Sequence, residues 1–321
     1  MISFLSGKRV CVTGGAGFLG QALLRQLREL KNSELFVCRS ADFDLTNAHD
    51  VARLFDAARP EVVFHLAAEV GGIGANQRHS GRYFYANMAM GLHLIEEARR
   101  RGISKFIQIG SVCSYPKHCP IPFREDNLWS GYPEETNAAY GVAKRTLGAM
   151  LDAYFREYGF PGVYVIPVNL YGPGDNFDPA DSHVIPALIR KYCDAVDRCE
   201  AEVTCWGTGR ATREFLYVDD AAEAIVRAAE LLNDPRPVNL GTAEEIAIAD
   251  LARMIAALCG FEGRTLWDES KPDGQPRRRL DTSRAESLRG WLPRVGLDEG
   301  LERTIDWWRE RAASRQVTSF V

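Results

Sequence analysis

The chain has 321 residues, 46% of them hydrophobic and 26% charged, with a net charge of −4. That length suits one large α/β domain, or a large and a small one, and the acidic balance argues against a nucleic-acid partner. No apolar run is long enough to span a bilayer, no signal peptide is recognisable, and the eight cysteines form no Cys-x-x-Cys pair, so a cytoplasmic protein without disulfides, metal or membrane partner is expected.

Residues 8–13 read as a short buried strand. It runs into Gly14-Gly15-Ala16-Gly17-Phe18-Leu19-Gly20 and then an amphipathic helix with Leu23, Leu24, Leu27 and Leu30 inward. Strand, Gly-rich turn and helix together point to a dinucleotide site. The glycines permit a tight turn and close backbone approach, and the helix N-terminus offers N–H groups and a positive dipole end to a pyrophosphate. The next strand, Glu34–Cys38, ends near the adenosine ribose. An acidic residue there would accept from the ribose 2′-hydroxyl. This chain has Arg39, whose charge suits a 2′-phosphate, so NADP(H) is favoured and NAD(H) is the alternative. Asp44 and Leu45 start the segment under the adenine. A helix over Ala48–Ala58 stops at Pro60, and residues 61–66 form a third strand in which His65 reads as a core residue. Ala67 and Ala68 let the backbone approach the cofactor. Residues 71–76 are expected as a flexible loop at the C-terminal edge of the sheet, where ligands bind.

A long helix over residues 83–101 precedes a fourth strand, Lys105–Ile109, which delivers Ser111 and Cys113. Pro116, Pro120 and Pro122 make the next stretch irregular. Residues 137–158 form a helix carrying Tyr140 and Lys144. At i and i+4 they share a face, so the ammonium is expected to lower the phenol pKa and let Tyr140 exchange a proton with a carbonyl oxygen. A strand over 163–168 leads to Asn169 and Leu170. Strand–helix alternation weakens after Asp175. The expected fold is a Rossmann-type doubly wound parallel sheet with a smaller C-terminal α/β part. Residues 1–174 form the cofactor part, with a return strand near 237–240, and residues 175–321 the substrate part. The latter should hold helices near 187–197, 221–232, 250–259 and 297–311 and a strand near 203–206. The basic loop at 271–279 reads equally as a phosphate holder or a solvated turn.

A Gly-rich turn on the first strand, Ser111 after the fourth and Tyr140-x-x-x-Lys144 about thirty residues later resemble the extended short-chain dehydrogenase/reductase family over essentially the whole chain. Longer motifs resemble its GDP-L-fucose synthase branch: Val70-Gly-Gly-Ile-Gly-Ala-Asn76, Gly110-Ser-Val-Cys-Ser-Tyr-Pro116, Ser182-His-Val-Ile-Pro-Ala-Leu188 and Arg213-Glu-Phe-Leu-Tyr-Val-Asp-Asp220. The resemblance implies a catalytic triad of Ser111, Tyr140 and Lys144, with Lys144 also on the nicotinamide ribose. It implies Cys113 as base and His183 as acid in a 3,5-epimerisation, followed by NADPH-dependent reduction at C4. Thiol and imidazole have ordinary pKa values close enough to neutrality for those tasks. It places Pro167, Asn169, Leu170 and His183 near the nicotinamide, Lys191 and Arg213 on a diphosphate, Trp206 at the nucleotide pocket and Asp273 on a sugar or base hydroxyl. It also implies a homodimer and a GDP-linked sugar substrate. Ala16 and Ala41 stand where relatives often carry basic residues, which keeps NAD(H) open. The competing readings are a single-activity epimerase or 4-reductase on another 4-keto nucleotide sugar, and a non-catalytic NADP(H)-sensing protein.

Overall fold

The computed structural model describes residues 4–30 and 34–318, with side chains described to residue 312. Strand β1 (Arg9–Thr13) is followed by α1 (Phe18–Glu29), β2 (Glu34–Cys38), α2 (Ala48–Ala58), β3 (Val62–His65), α3 (Ile73–Arg78), α4 (Ser80–Arg101) and β4 (Lys105–Ile109). Then come α5 (Ala138–Tyr158), β5 (Gly162–Pro167), β6 (Asn169–Tyr171), α6 (Val184–Asp197), β7 (Glu202–Trp206), β8 (Thr212–Arg213), β9 (Phe215–Tyr217) and α7 (Val218–Leu231). β10 (Val238–Leu240), β11 (Ile246–Ala247), α8 (Ile248–Cys259), β12 (Arg264–Asp268) and α9 (Leu297–Thr318) complete the chain.

Six strands pair in the order β10-β5-β4-β3-β1-β2, and every pairing is parallel. A parallel sheet needs crossover helices, which cover both faces, so its strands read as continuous apolar runs. Val10, Val12, Val62, Val63, Phe64, Phe106 and Ile107 are accordingly at most 1% exposed. β1 lies between β2 and β3, so the winding reverses beside it and opens a crevice at the C-terminal edge. Register brings Thr13 level with both Cys38 and His65, and His65 level with Gln108. Gly14, Arg39, Ala67 and Ser111 therefore emerge along one edge.

A buried cation joins sheet to helix. Lys105 on β4 donates to the carbonyls of Ala229 and Leu232 at 2.7 Å each, satisfying the C-terminal end of α7. A second apolar cluster, including Ile189, Tyr192, Leu251, Ile255 and Leu301, fills the space between α6, α8 and α9. Short strand pairs, β6 with β9, β7 with β12 and β8 with β11, surround it.

Two segments differ from expectation. The stretch at 71–76 is mostly helical, with α3 starting at Ile73, because Gly72 is fixed as the extended residue before the helix. The amide of Gly72 donates to Asp181 O at 3.0 Å, and a Cβ on Gly72 would lie 2.7 Å from Ser182 O. β12 was not anticipated: it is short and partly exposed, and pairs with β7 across 62 intervening positions of register, Arg264 opposite Glu202. All eight cysteines are free thiols, and Cys11 and Cys38 lie in the core. Among the described residues no helix is long and apolar enough to cross a membrane, and no cluster of side chains has the makings of a metal site.

Candidate active site

The Gly-rich turn folds back on itself. Gly14 adopts φ +71°, where a side chain is strained, and a Cβ there would stand 2.6 Å from Ala67 N. A Cβ on Gly20 would lie 2.2 Å from Gly14 O, and Gly17 N donates to that same oxygen at 3.0 Å. Without side chains in the way, the start of α1 and the backbone at Ala67 converge on one cradle, which fits a dinucleotide pyrophosphate. Arg39 is exposed just beyond β2 and makes no ion pair among the described residues. Asp44 accepts from Thr46 N at 2.9 Å and Thr46 Oγ1 at 2.7 Å, shaping the turn that buries Leu45. His65 is a core residue, bonded to Thr13 Oγ1 at 2.8 Å; burial and then the Lys144 charge hold its imidazole well below the ordinary value.

Ser111 ends the loop after β4 and accepts from Cys113 N at 3.2 Å, starting a 3-10 turn over Val112–Ser114. Helix α5 packs directly on that turn. A Cβ on Gly141 would stand 2.2 Å from Cys113 O, and Ser114 Oγ donates to Gly141 O at 2.9 Å. Tyr140, next in the chain, is thereby held in a hydrogen bond with Ser111. Tyr164 of β5 fills the space over Gly110 and Gly148 and donates to Lys144 O at 3.1 Å. Tyr140 and Lys144 do share a face, with the ammonium 5.8 Å from the ring centroid. The expected lowering of the phenol pKa is not what this environment produces. Burial, then Cys113 and Tyr164, push Tyr140 above its ordinary value, and the Ser111 bond only partly opposes them. Lys144, 2% exposed, is itself pushed down to about 8 by burial.

Cys113 is half-buried on the Ser111 turn. His183 is the residue before α6, held there through the contact of Gly72 with Ser182. Its ring reaches solvent through the cleft yet is surrounded by protein; burial and then the charge of Arg278 lower its pKa. Arg278, 6% exposed, donates to Asn169 Oδ1 at 3.1 Å and Gln275 Oε1 at 3.2 Å and stands 3.7 Å from Cys113 Sγ. Arg213 donates to the carbonyls of Gln275 at 2.6 Å, Thr212 at 2.8 Å and Asp273 at 3.0 Å. Burial and Arg278 push it down to about 9. Neither guanidinium has a carboxylate partner among the described residues, so the two form a pocket for an anion.

The remaining sites are less convergent. Both Asp273 oxygens are engaged by Thr208, at 2.8 Å to its amide and 2.7 Å to its hydroxyl, rather than free for a ligand. Lys191 donates to Thr204 O at 2.7 Å. Trp206 is 56% exposed, with the Lys271 ammonium 5.6 Å from its ring centroid. Pro167 closes β5, and Asn169 and Leu170 follow on β6. A polar cavity of about 260 Å³ opens beside Tyr140, walled by Asn76, Ser80, Tyr83, Thr136 and Asn137.

The pattern of the NAD dependent epimerase/dehydratase family matches residues 10–241. The chain belongs to this family. It is 41% identical to the probable GDP-L-fucose synthase 1 of Oryza sativa subsp. japonica, over 97% of this chain and 96% of that protein. It is 38% identical to the GDP-L-fucose synthase of Escherichia coli K12, over 95% and 98%. Among solved structures, a GDP-L-fucose synthetase from Naegleria fowleri bound to NADP is 28% identical with a TM-score of 0.88, covering 97% of each chain. A GDP-6-OMe-4-keto-L-xylo-heptose reductase from C. jejuni is 26% identical with a TM-score of 0.90, covering 96% of this chain and 99% of that one. The doubly wound architecture is the one this epimerase/dehydratase family shares. Arg278, Gly141 and Tyr164 are the site-shaping residues not singled out from the sequence of this family member. Arg278 sat inside a basic run that reads as solvated. Its signal was alternation: Arg278 and Leu280 are buried, while Arg277 is exposed.

Proposed function

We propose that this chain epimerises a GDP-4-keto-6-deoxy sugar at C3 and C5 and reduces its C4 ketone with NADPH, giving GDP-L-fucose or a close relative. The observation that supports this reading best is the presence of Cys113 and His183 around the bonded Ser111–Tyr140 pair; a plain reductase needs only the latter. A C4 ketone acidifies the neighbouring C–H bonds. Ser111 and Tyr140 donate to the ketone oxygen and stabilise the enolate charge. Cys113 takes the carbon-bound proton, and His183 returns one to the opposite face. When bound, the reduced nicotinamide supplies the hydride for C4, and Tyr140 gives its phenolic proton to the oxygen. The cradle of Gly14, Gly17 and Gly20 suits the cofactor pyrophosphate and Arg39 its 2′-phosphate, and the Naegleria relative was solved with NADP. Arg213 suits the substrate diphosphate.

The test is product analysis after adding GDP-4-keto-6-deoxy-D-mannose and NADPH in D2O. GDP-L-fucose labelled at C3 and C5 supports both half-reactions. NADPH consumption without label leaves a 4-reductase, the second reading, favoured by the likeness to the C. jejuni heptose reductase. No turnover removes both.

We further read residues 1–174 with β10 as the cofactor part and 175–321 as the substrate part. A homodimer through α4 and α5 would cover the exposed Phe84, Tyr85, Leu92, Phe155 and Tyr158; a monomer in sedimentation at working concentration would overturn it. Eight free thiols suit a reducing compartment, so we place the protein in the cytoplasm.

A further inference from the structure

Arg213 and Arg278 meet on one residue. Arg213 Nη1 lies 2.6 Å from Gln275 O, and Arg278 Nε lies 3.2 Å from Gln275 Oε1. The acceptors around them are carbonyls and carboxamides, which leave both positive charges uncompensated. His183 from the start of α6 faces the same charge across the cleft, and Cys113 touches it from the Ser111 turn. The other charged or titratable groups around the pair are Glu134, Asp273 and Tyr140. Glu134 is engaged by Thr136 and Asn137, and Asp273 by Thr208.

We propose that a nucleotide diphosphate seated on the Arg213–Arg278 pair loads a proton onto His183, so that the cleft gains its proton donor only when substrate is in place. The inference rests on the function proposed above and adds how the acid is armed. An imidazole delivers a proton to carbon only from its cationic form. In the free cleft, burial and the neighbouring guanidinium both oppose that form. A diphosphate diester brings two negative charges to two positive ones, which cancels the repulsion on His183 in a low-dielectric pocket. Linkage makes the effect reciprocal: if the diphosphate raises the proton affinity of His183, protonation tightens diphosphate binding, and affinity rises as pH falls.

GDP-mannose is a suitable probe, because its diphosphate diester carries no proton that titrates near neutral pH. Calorimetric titration in buffers of different ionisation enthalpy reads the protons taken up per bound ligand. Net uptake is expected for the wild-type protein. It should be lost in His183→Gln, and fall by about twofold or more in Arg278→Gln, where the imidazole is already relieved. On the wild-type protein alone, the proton NMR titration midpoint of His183 should move to higher pH when GDP-mannose is added. Binding with no proton uptake and an unmoved midpoint overturns the proposal and leaves the enzymatic reading intact. Uptake retained in His183→Gln assigns the proton to another group and also overturns it; Lys144, at about 8, is the group to examine then. Absence of binding at millimolar GDP-mannose removes the nucleotide-sugar reading and this inference with it.

Discussion

Gly141→Ala tests how α5 sets the site. The added Cβ would stand 2.2 Å from Cys113 O, whereas real Cβ contacts essentially never fall below 3.0 Å, so helix and turn must part by at least about 0.8 Å. Neither side of that contact is a pliable side chain, and the Ser114 bond to Gly141 O pins the same spot. Overpacking of this kind costs about 1–3 kcal/mol. Alanine returns about 1 kcal/mol of helix propensity. The net loss is therefore about 0–2 kcal/mol, a fall of only a few degrees in Tm. Activity should suffer far more. Tyr140 moves with the helix while Ser111 and Cys113 stay with the turn, and a displacement near 1 Å costs about 100-fold, or about 2.7 kcal/mol of transition-state stabilisation. The assay is NADPH oxidation with the keto sugar, with thermal unfolding followed on the same samples. A folded Gly141→Ala protein that keeps activity within about threefold of wild type would refute the reasoning.

Cys113→Ser and His183→Gln should each lower deuterium uptake at C3 and C5 by about 100-fold or more, with NADPH affinity little changed; an unaltered product mixture removes their assigned roles. Arg39→Ala should weaken NADPH by about 10–100-fold, the worth of charge-assisted bonds of about 1.5–3 kcal/mol, and spare NADH. Equal losses for the two cofactors mean that Arg39 does not read the 2′-phosphate. Lys144→Met concerns stability. Burial holds the folded ammonium at about 8 against 10.5, so the unfolded chain binds more protons between those values and stability rises with pH across that window. Below it the buried charge costs on the order of 3 kcal/mol. Lys144→Met should therefore be inactive yet more stable than wild type near neutral pH, with the difference closing towards pH 10.5 in denaturant titrations; a less stable variant at neutral pH contradicts a penalised charge.

Much of this architecture is readable from residue order because parallel strands are short apolar runs and the Gly-rich turn has one structural use. Arg9–Thr13, Glu34–Cys38, Lys105–Ile109 and the helix around Tyr140 declare themselves by period and punctuation. What escapes the sequence is settled by long-range packing. Gly72 looks like part of a flexible run until Ser182 arrives against it. β12 has a strand only because β7 lies alongside. The i, i+4 spacing placed Lys144 beside Tyr140 but said nothing of the desolvation that dominates both groups. Arg277 and Arg278 are chemically identical neighbours, and only the fold separates them: Arg277 pairs with Glu245 at the surface, while Arg278 enters the cleft.

The position of β10 bears on how such a protein is dissected and synthesised. A fragment ending at residue 174 keeps the Gly-rich turn, Ser111, Tyr140 and Lys144. It lacks the strand that closes the sheet beside β5. Val163, Tyr164, Val165 and Ile166 would then line a bare edge, a template for pairing with other chains. Lys105 would also lose both of its α7 acceptors. During synthesis the same hazard lasts until about seventy further residues have left the ribosome, the interval over which protection by chaperones matters most. A split or modular version of this enzyme has to be cut along the sheet, not along the chain.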